Sequence, residues 1–452
     1  MRNLIIEIVD RLSASYWFIP ITLSVLAIIA AIFTLQLDIR YGDVLTEILE
    51  PLGLLNIQAS DARSVLTVVA SSMITVAGTV FSLTMVVLTL ATQQYGPLVV
   101  SNFMRDRINQ FSLGAFVATF IYCLILLLGG GTASTASVPA FSGLITVVLA
   151  MFNAFLLIYF IHHVSQSVQP NYIINSIASK LISALDEIFP ARVGIDSREA
   201  SNEITLPSDF EDMTRFYLMH SKQSGYLQFV DADEIIKLAS ENDLILKFDY
   251  RPGVYIIEGE ILVWVYPKER VTGAVLDQLY QSISLGAERT LVQDSELMIT
   301  QLEQIALRAI SPAINDPNTA SLCIDQLGTA LAKLARKDQV PSAIRLGEDG
   351  HVRVVTDPLD FREFLGTAFD EIRHHGVNDP MIAAHLLHTL EKIVPSLSID
   401  NERQYTYEYG ATIWQLCNEA PLKAPDLKRV AERFEALGRA LQDTPLLESA
   451  IR

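Results

Sequence analysis

Four long apolar runs dominate the first third of the chain. They cover about residues 16–37, 64–94, 110–128 and 141–161. A helix needs only ~20 apolar residues to cross a bilayer, so each run predicts one transmembrane helix. The second run is the longest, because no Asp, Glu, Lys or Arg occurs between Ser64 and Met104. It predicts a helix that crosses the membrane and projects beyond it.

Small polar residues recur at three- and four-residue steps along this second run. The predicted polar face consists of Ser71, Thr75, Gly78, Thr79, Ser82, Thr89 and Gln93. At ~100° per residue these positions fall within one arc of roughly 120°. Such a face either packs tightly against neighbouring helices or lines a wet path, and the pattern leaves both interpretations open. Four spans are too few to enclose a path easily, so the second interpretation requires a homo-oligomer.

Basic residues between the apolar runs predict the orientation of the spans. Arg2 and Arg11 precede the first span, and Arg105 and Arg107 lie between the second and third. The predicted loop over 38–63 is acid-rich, and the one over 129–140 has no charge. The positive-inside rule therefore places both termini in the cytoplasm of a bacterial inner membrane, with the bilayer as partner. Arg105 and Arg107 would then lie at a cytoplasmic mouth, where they favour anions, whereas the acidic second part of the chain favours cations, so the pattern leaves selectivity open.

The remaining two thirds of the chain change from apolar runs to mixed short patterns. Residues 170–224 predict a helix followed by a linker, and residues 225–270 predict short strands in a small β-barrel-like element. Residues 271–452 read as mainly helical, with helices over about 271–286, 295–310 and 316–336 among others, interrupted by a hairpin near 344–355. The predicted fold class is therefore an α-helical membrane domain over 1–169, followed by a cytosolic α+β domain.

Charge is concentrated in the second part of the chain. Residues after 163 carry −16 of the formal net charge of −18. We therefore do not expect the chain to bind nucleic acid, because phosphate groups need positively charged partners. Such an excess is usually a matter of solubility. Cys123, Cys323 and Cys417 have no CxxC spacing, so neither a disulfide framework nor a zinc ribbon is predicted.

A polar cluster around two predicted helices is the most distinctive pattern of the second part. Arg289, Gln293 and Asp294 precede one helix, and Asn315 and Asp316 precede the next, which has Pro317 in its first turn. We expect the two groups to meet at a common cytosolic junction. That junction is either a binding or gating site, or a buried Arg–Asp pair combined with helix capping.

Two long stretches carry a resemblance to a known family. They are VAGTVFSLTMVVLTLATQQYGP with NFMRDRINQFSLGAFVATFIY after it, and ERTLVQD followed by IALRAISPAINDPNTA. In this order, and with four spans, they resemble the bacterial membrane-protein family called domain of unknown function 2254 (DUF2254). The resemblance covers nearly the whole chain. It implies the membrane architecture and supplies no activity.

Motifs for catalysis or cofactor binding are absent from the sequence. There is no Walker loop, no GxGxxG after a strand, no HExxH and no GxSxG. His385, His388 and Glu391 share a helical face, and His162 with His163 ends the fourth span, but ordinary surface and interfacial roles account for both groups. We therefore expect no enzyme, no metal and no cofactor.

Two main functional hypotheses follow from these patterns, and a third, a membrane-tethered enzyme that uses Arg289, Asp294 and Asp316, lacks an accompanying nucleophile, base or cofactor motif. The first is an oligomeric channel or transport-like pore, lined by the second helix and assembled or gated by the cytosolic domain, with a small ion or small molecule as its ligand. The second is a membrane-anchored binding or signalling module without transport activity.

Overall fold

The computed structural model describes residues 16–49, 59–98, 103, 106–129, 140–185, 190, 193–197, 206–291, 293–336 and 343–443. Contacts divide the chain into two compact units, Met1–Tyr172 and Ile173–Arg452. We call them the four-helix unit and the α/β unit. The sequence placed the boundary at 169/170.

The four-helix unit contains four helices that are long and apolar enough to cross a membrane. They are α1 (Phe18–Leu49), α2 (Ala59–Tyr95), α3 (Arg107–Gly129) and α4 (Ala140–Ser167). The apolar part of α2, Arg63–Tyr95, has 33 residues and is therefore roughly 50 Å long at ~1.5 Å per residue. The prediction of four long apolar helices, the second of them overlong, is confirmed.

The helix α1 does not end at Asp38, as its charge suggested. It continues to Leu49, and α2 already begins at Ala59, so much of the predicted loop over 38–63 is helical. Asp38 is only 8% exposed. Its buried carboxylate accepts hydrogen bonds from the backbone N–H of Phe141 (3.0 Å) and Ser142 (2.9 Å), which compensate for the lost contact with water. An acid at the first turn of α4 satisfies N–H groups that have no partner within that helix.

The helix α3 is the centre of the four-helix unit. It packs against α1, α2 and α4, and 44% of its apolar span is buried, against 17–22% for the other three. Gly114 allows α3 to approach α1 closely, since a Cβ at this position would lie 3.0 Å from Cα of Pro20. The other three helices therefore keep large outward faces.

The strands of the α/β unit form two open sheets. Their bounds are β1 (Ile195–Asp196), β2 (Tyr217–His220), β3 (Gly225–Val230), β4 (Ile245–Lys247), β5 (Tyr255–Ile256), β6 (Ile261–Tyr266), β7 (Ile283–Gly286), β8 (Ile344–Leu346) and β9 (Val352–Val355). The first sheet has the order β1-β8-β9-β4-β6-β2, and the second has the order β5-β3-β7.

The predicted barrel over 225–270 is therefore wrong. Within the described part of the chain its strands are shared between both sheets, and neither sheet closes. The reason is long-range pairing: β4 pairs in parallel with β9, about a hundred residues later, and β3 pairs with β7. Apolar side chains of both sheets and of the helices beside them form one core, which includes Leu227, Leu246 and Val263.

Helices make up most of the rest of the α/β unit. They are α5 (Pro170–Ala184), α6 (Ala232–Glu241), α7 (Gly273–Ser282), α8 (Ser295–Ile310), α9 (Pro317–Arg336), α10 (Phe361–Gly376), α11 (Pro380–Ile393), α12 (Asp400–Glu419) and α13 (Ala424–Asp443). Side chains cap several of them, and Asp360 with Glu363 forms a capping box at α10. The helix predicted over 271–286 ends at Ser282, because its last four residues form β7.

Candidate functional site

The polar face of α2 points away from the rest of the four-helix unit. All seven of its residues are exposed: Ser71, Thr75, Gly78, Thr79, Ser82, Thr89 and Gln93. The buried seam of α2 includes Leu66, Ala77 and Val80, whose positions lie roughly 150° around the helix from the polar face. A Cβ added to Gly78 would meet nothing within 4 Å. Packing against the described spans of the same chain therefore does not account for this face.

Hydroxyl groups of the polar face are hydrogen-bonded to their own helix. Thr75 donates to the carbonyl of Ser71 (2.7 Å), Thr79 to that of Thr75 (3.0 Å), and Thr89 to that of Met85 (2.9 Å). Ser71 donates to Val68 in the same way (3.1 Å). Each hydroxyl oxygen still has acceptor capacity, because a hydroxyl carries one proton and two lone pairs. These four side chains consequently present oxygen acceptors on the surface of α2.

The outward faces of α1 and α4 differ in chemistry from the polar face of α2. Ile21 and Ile29 on α1 are each 58% exposed, and Phe155 and Ile158 on α4 are 68% and 67% exposed. Large aliphatic and aromatic side chains of this kind suit contact with lipid chains. Small and hydroxylated residues instead suit close helix–helix approach or contact with water. The four-helix unit therefore has one outward face that is not built for lipid alone.

The predicted cytoplasmic mouth is described only in part. Arg105 lies outside the described residues, whereas Arg107 is exposed at the start of α3. Beside it, Asp106 caps α3 through the backbone N–H of Ile108 (2.8 Å) and pairs with Nε2 of His163 on α4 (2.6 Å). This pair was not predicted, although the Asp after Arg105 and the His pair at the end of the fourth span were visible in the sequence. It joins the ends of two spans.

Arg289 and Asp294 form the ion pair that the sequence suggested. Nε of Arg289 lies 2.6 Å from Oδ2 of Asp294, and Nη2 lies 2.7 Å from Oδ1. Asp294 is 1% exposed and also accepts the N–H of Leu297 (2.9 Å), which caps α8. Gly253 (φ +102°) packs onto this carboxylate so closely that a Cβ there would lie 2.6 Å from it. These contacts join the turn at Gly253 to the start of α8, and we call the Arg289–Asp294 pair the latch.

The other predicted junction residues have different partners. Gln293 bonds through its side chain to both backbone groups of Val230, the carbonyl oxygen (3.0 Å) and the N–H (2.9 Å). Asp316 accepts the hydroxyl of Thr319 (2.6 Å), which lowers the pKa of the Asp316 carboxyl, and Asn315 adopts φ +51° in the turn before α9.

The prediction of one common junction is corrected by the length of α8. Asp294 begins this helix, and the N–H of Asp316 bonds to the carbonyl of Ala309 at its far end (2.7 Å). A helix of 16 residues is roughly 24 Å long. Arg289 and Asp294 therefore meet, whereas Asn315 and Asp316 lie at the other end of α8.

Two histidines of α11 pair with acidic side chains. Nε2 of His385 lies 3.1 Å from Asp325, and Nδ1 of His388 lies 2.9 Å from Glu391. Among the described residues no group of three or more His, Cys, Asp or Glu is arranged to hold a metal ion.

Comparisons with known proteins give one family and name no activity. The sequence model of a family described as "Predicted membrane protein (DUF2254)" matches residues 13–392. Uncharacterised proteins of Mycobacterium bovis and of Mycobacterium tuberculosis strain H37Rv are each 29% identical over 98% of this chain and 82% of their own length. One from M. tuberculosis strain CDC 1551 is 28% identical over the same shares. No solved structure matches.

Proposed function

Because the chain belongs to the DUF2254 family of predicted membrane proteins, we propose that it is a multi-pass protein of the bacterial inner membrane whose copies enclose a path for small ions. The polar face of α2 lines that path. The α/β unit lies in the cytoplasm, where it assembles or gates the oligomer. No catalytic chemistry and no cofactor are assigned to the chain.

The outward position of the polar face is the observation that carries this proposal. A face of hydroxyls and a glycine lies opposite the buried seam of α2, while the exposed faces of α1 and α4 carry large apolar side chains. Lipid chains offer nothing to hydroxyl oxygens, whereas a second copy or a water-filled lumen does. A ring of copies around one axis would satisfy every such face at once.

Hydroxyl geometry favours cations as the permeant class. Four hydroxyl groups donate hydrogen bonds to backbone carbonyls of α2, so their oxygen atoms can act as acceptors in the lumen; they belong to Ser71, Thr75, Thr79 and Thr89. Oxygen acceptors replace part of the hydration shell of a cation. The span of α2 contains no acidic or basic side chain between Ser64 and Tyr95, so selectivity would depend on these oxygens and on the charges at the two mouths.

The same hydrogen bonds support a second candidate function. A hydroxyl that is already bonded to its own backbone can also lie dry against another helix. The faces of two copies could then pair without a lumen, and the protein would be a membrane-anchored binding or signalling module. Gly78, where a Cβ meets nothing within 4 Å, would allow the close helix approach that such pairing needs.

Substitution along α2 distinguishes the two candidates. Thr75→Leu and Ser82→Leu fill the polar face, and Phe81→Leu is the control, because Phe81 is 39% exposed and lies roughly 60° outside the arc of the polar face. The assays are ion flux into liposomes and particle mass in nanodiscs. For a pore, Thr75→Leu and Ser82→Leu lose flux at unchanged mass, while Phe81→Leu keeps it.

Other results would exclude one or both candidates. An oligomer without flux in the unsubstituted protein supports the anchored module. Flux that survives Thr75→Leu and Ser82→Leu contradicts the lining role of the polar face. A monomeric particle in nanodiscs contradicts both candidates.

A further inference from the structure

Glu303 is an acidic residue within the packed interior of the α/β unit. It lies in the middle of α8 and is 9% exposed, between Leu302 (0%) and Ile305 (1%). The helix α8 packs against α9 and α10. A carboxylate in such surroundings loses most of its hydration and needs a partner.

No partner of Glu303 occurs among the residues that the structure describes. The charged groups of α10 that act on its carboxyl group, Glu371 and Asp370, are both acidic and raise its pKa. Asp370 is bonded to the guanidinium of Arg373 (3.0 Å) and to the hydroxyl of Tyr409 (3.0 Å), and Glu371 lies 3.6 Å from Nε2 of His375. The bases near this cluster are therefore engaged with the other two acids.

Charged side chains on α9, the other helix packed against α8, face different partners. Asp325 pairs with His385, and Lys333 donates to the carbonyl of Ile182 (2.6 Å). Ionised Glu303 thus meets apolar side chains on its own helix and two carboxylates on α10. Protonation removes both the burial cost and the repulsion.

We propose that Glu303 is a proton-binding site that couples the packing of α8 against α10 to pH near neutrality. When Glu303 is protonated, α8 and α10 pack closely. When it ionises, the contact between the two helices opens more often. This proposal stands independently of any ion path through the four-helix unit.

The direction and range of the effect follow from proton linkage. Burial first, and then Glu371 and Asp370, raise the pKa of Glu303 from 4.5 to about 7. The opened state therefore binds fewer protons than the closed state between these two values. Stability from this group is full below pH 4.5, falls as pH rises towards about 7, and levels off above that. With these two pKa values, the opening equilibrium increases roughly ten-fold between pH 6 and pH 8.

Hydrogen exchange of the full-length protein in nanodiscs tests this proposal. Peptides from α8 and α10 are followed at pH 6 and pH 8, after correction for intrinsic exchange rates. The unsubstituted protein should show roughly ten-fold more frequent opening at pH 8. Glu303→Gln should stay protected at both pH values, because the amide is neutral throughout.

Glu371→Gln provides the control for the cause of the effect. It removes one of the two acidic neighbours and so lowers the pKa of Glu303 in the closed state; the increase in opening between pH 6 and pH 8 should therefore be smaller and level off at lower pH. The proposal is overturned if Glu303→Gln keeps the pH dependence of the unsubstituted protein, or if α8 and α10 show no pH dependence at all.

Discussion

Removing Arg289 should destabilise the α/β unit strongly, because it leaves a buried charge without its partner. Asp294 is 1% exposed and receives two short bonds from the guanidinium, at 2.6 and 2.7 Å. After Arg289→Ala, the N–H of Leu297 is the one donor to that carboxylate that remains among the described residues. Breaking a buried pair in this way costs about 3–5 kcal/mol in the free energy of unfolding.

Two further variants separate the charge from the helix cap. Asp294→Asn keeps an oxygen that can accept the N–H of Leu297, and in the double variant with Arg289→Ala no unpaired charge remains. The double variant should therefore recover about 1–3 kcal/mol relative to Arg289→Ala alone. Gly253→Ala should also destabilise the unit, since its Cβ would lie 2.6 Å from the Asp294 carboxylate at φ +102°.

Urea unfolding of the full-length protein in detergent measures these differences. Trp264 and Trp414 lie in the α/β unit, so tryptophan fluorescence follows its transition. The structural role of the latch is refuted if Arg289→Ala changes the free energy of unfolding by less than about 1 kcal/mol. Loss of an activity at unchanged stability would instead make Arg289 and Asp294 a functional site.

Two predictions concern the four-helix unit. Asp38→Ala should lower the free energy of unfolding of this unit by about 1–3 kcal/mol, because the N–H groups of Phe141 and Ser142 lose their acceptor, and Asp38→Asn should lose less. Unchanged melting temperatures of both variants in detergent would contradict the capping role. Gly114→Leu should prevent close packing of α1 on α3, since even a Cβ would lie 3.0 Å from Cα of Pro20, whereas Gly143→Leu should be tolerated because a Cβ there meets nothing within 4 Å. Equal yields of folded protein from the two variants would show that this packing is not needed.

Local patterns predicted the helices well, because each is specified by residues close in sequence. The apolar runs predicted all four long helices, and the helix predicted over 295–310 has the same bounds in the structure. Pro317 in the first turn and Asp316 before it marked the start of α9 correctly. Hydrophobic period and capping chemistry are sufficient for such elements.

Features that depend on distant parts of the chain were not predicted. The β4 strand pairs with β9, and no residue in 225–270 signals that partner, so a local barrel was the wrong inference. Asp38 looked like the end of a span because its partners, Phe141 and Ser142, are about a hundred residues away. Glu303 stood in an ordinary helical pattern, and its burial depends on how α10 packs against α8.

The candidate site was predicted as a pattern, but not in its orientation. Periodicity put Ser71, Thr75 and Thr79 on one face of α2, yet it did not tell which face packs against α3. That choice depends on the buried seam around Ala77 and Val80, where small and β-branched residues allow α3 to approach. The role of a face of α2 can therefore be assigned only when the positions of the neighbouring helices are known.

A cryo-EM map of the full-length protein in lipid nanodiscs tests the central claim most directly, namely that the polar face of α2 meets other copies of the chain around a path. The account predicts several α2 helices around one axis, with Ser71, Thr75, Thr79 and Ser82 turned towards it and with α1 and α4 towards lipid. A particle in which those four residues face lipid chains, with α1 or α4 at the contacts between copies, would contradict it.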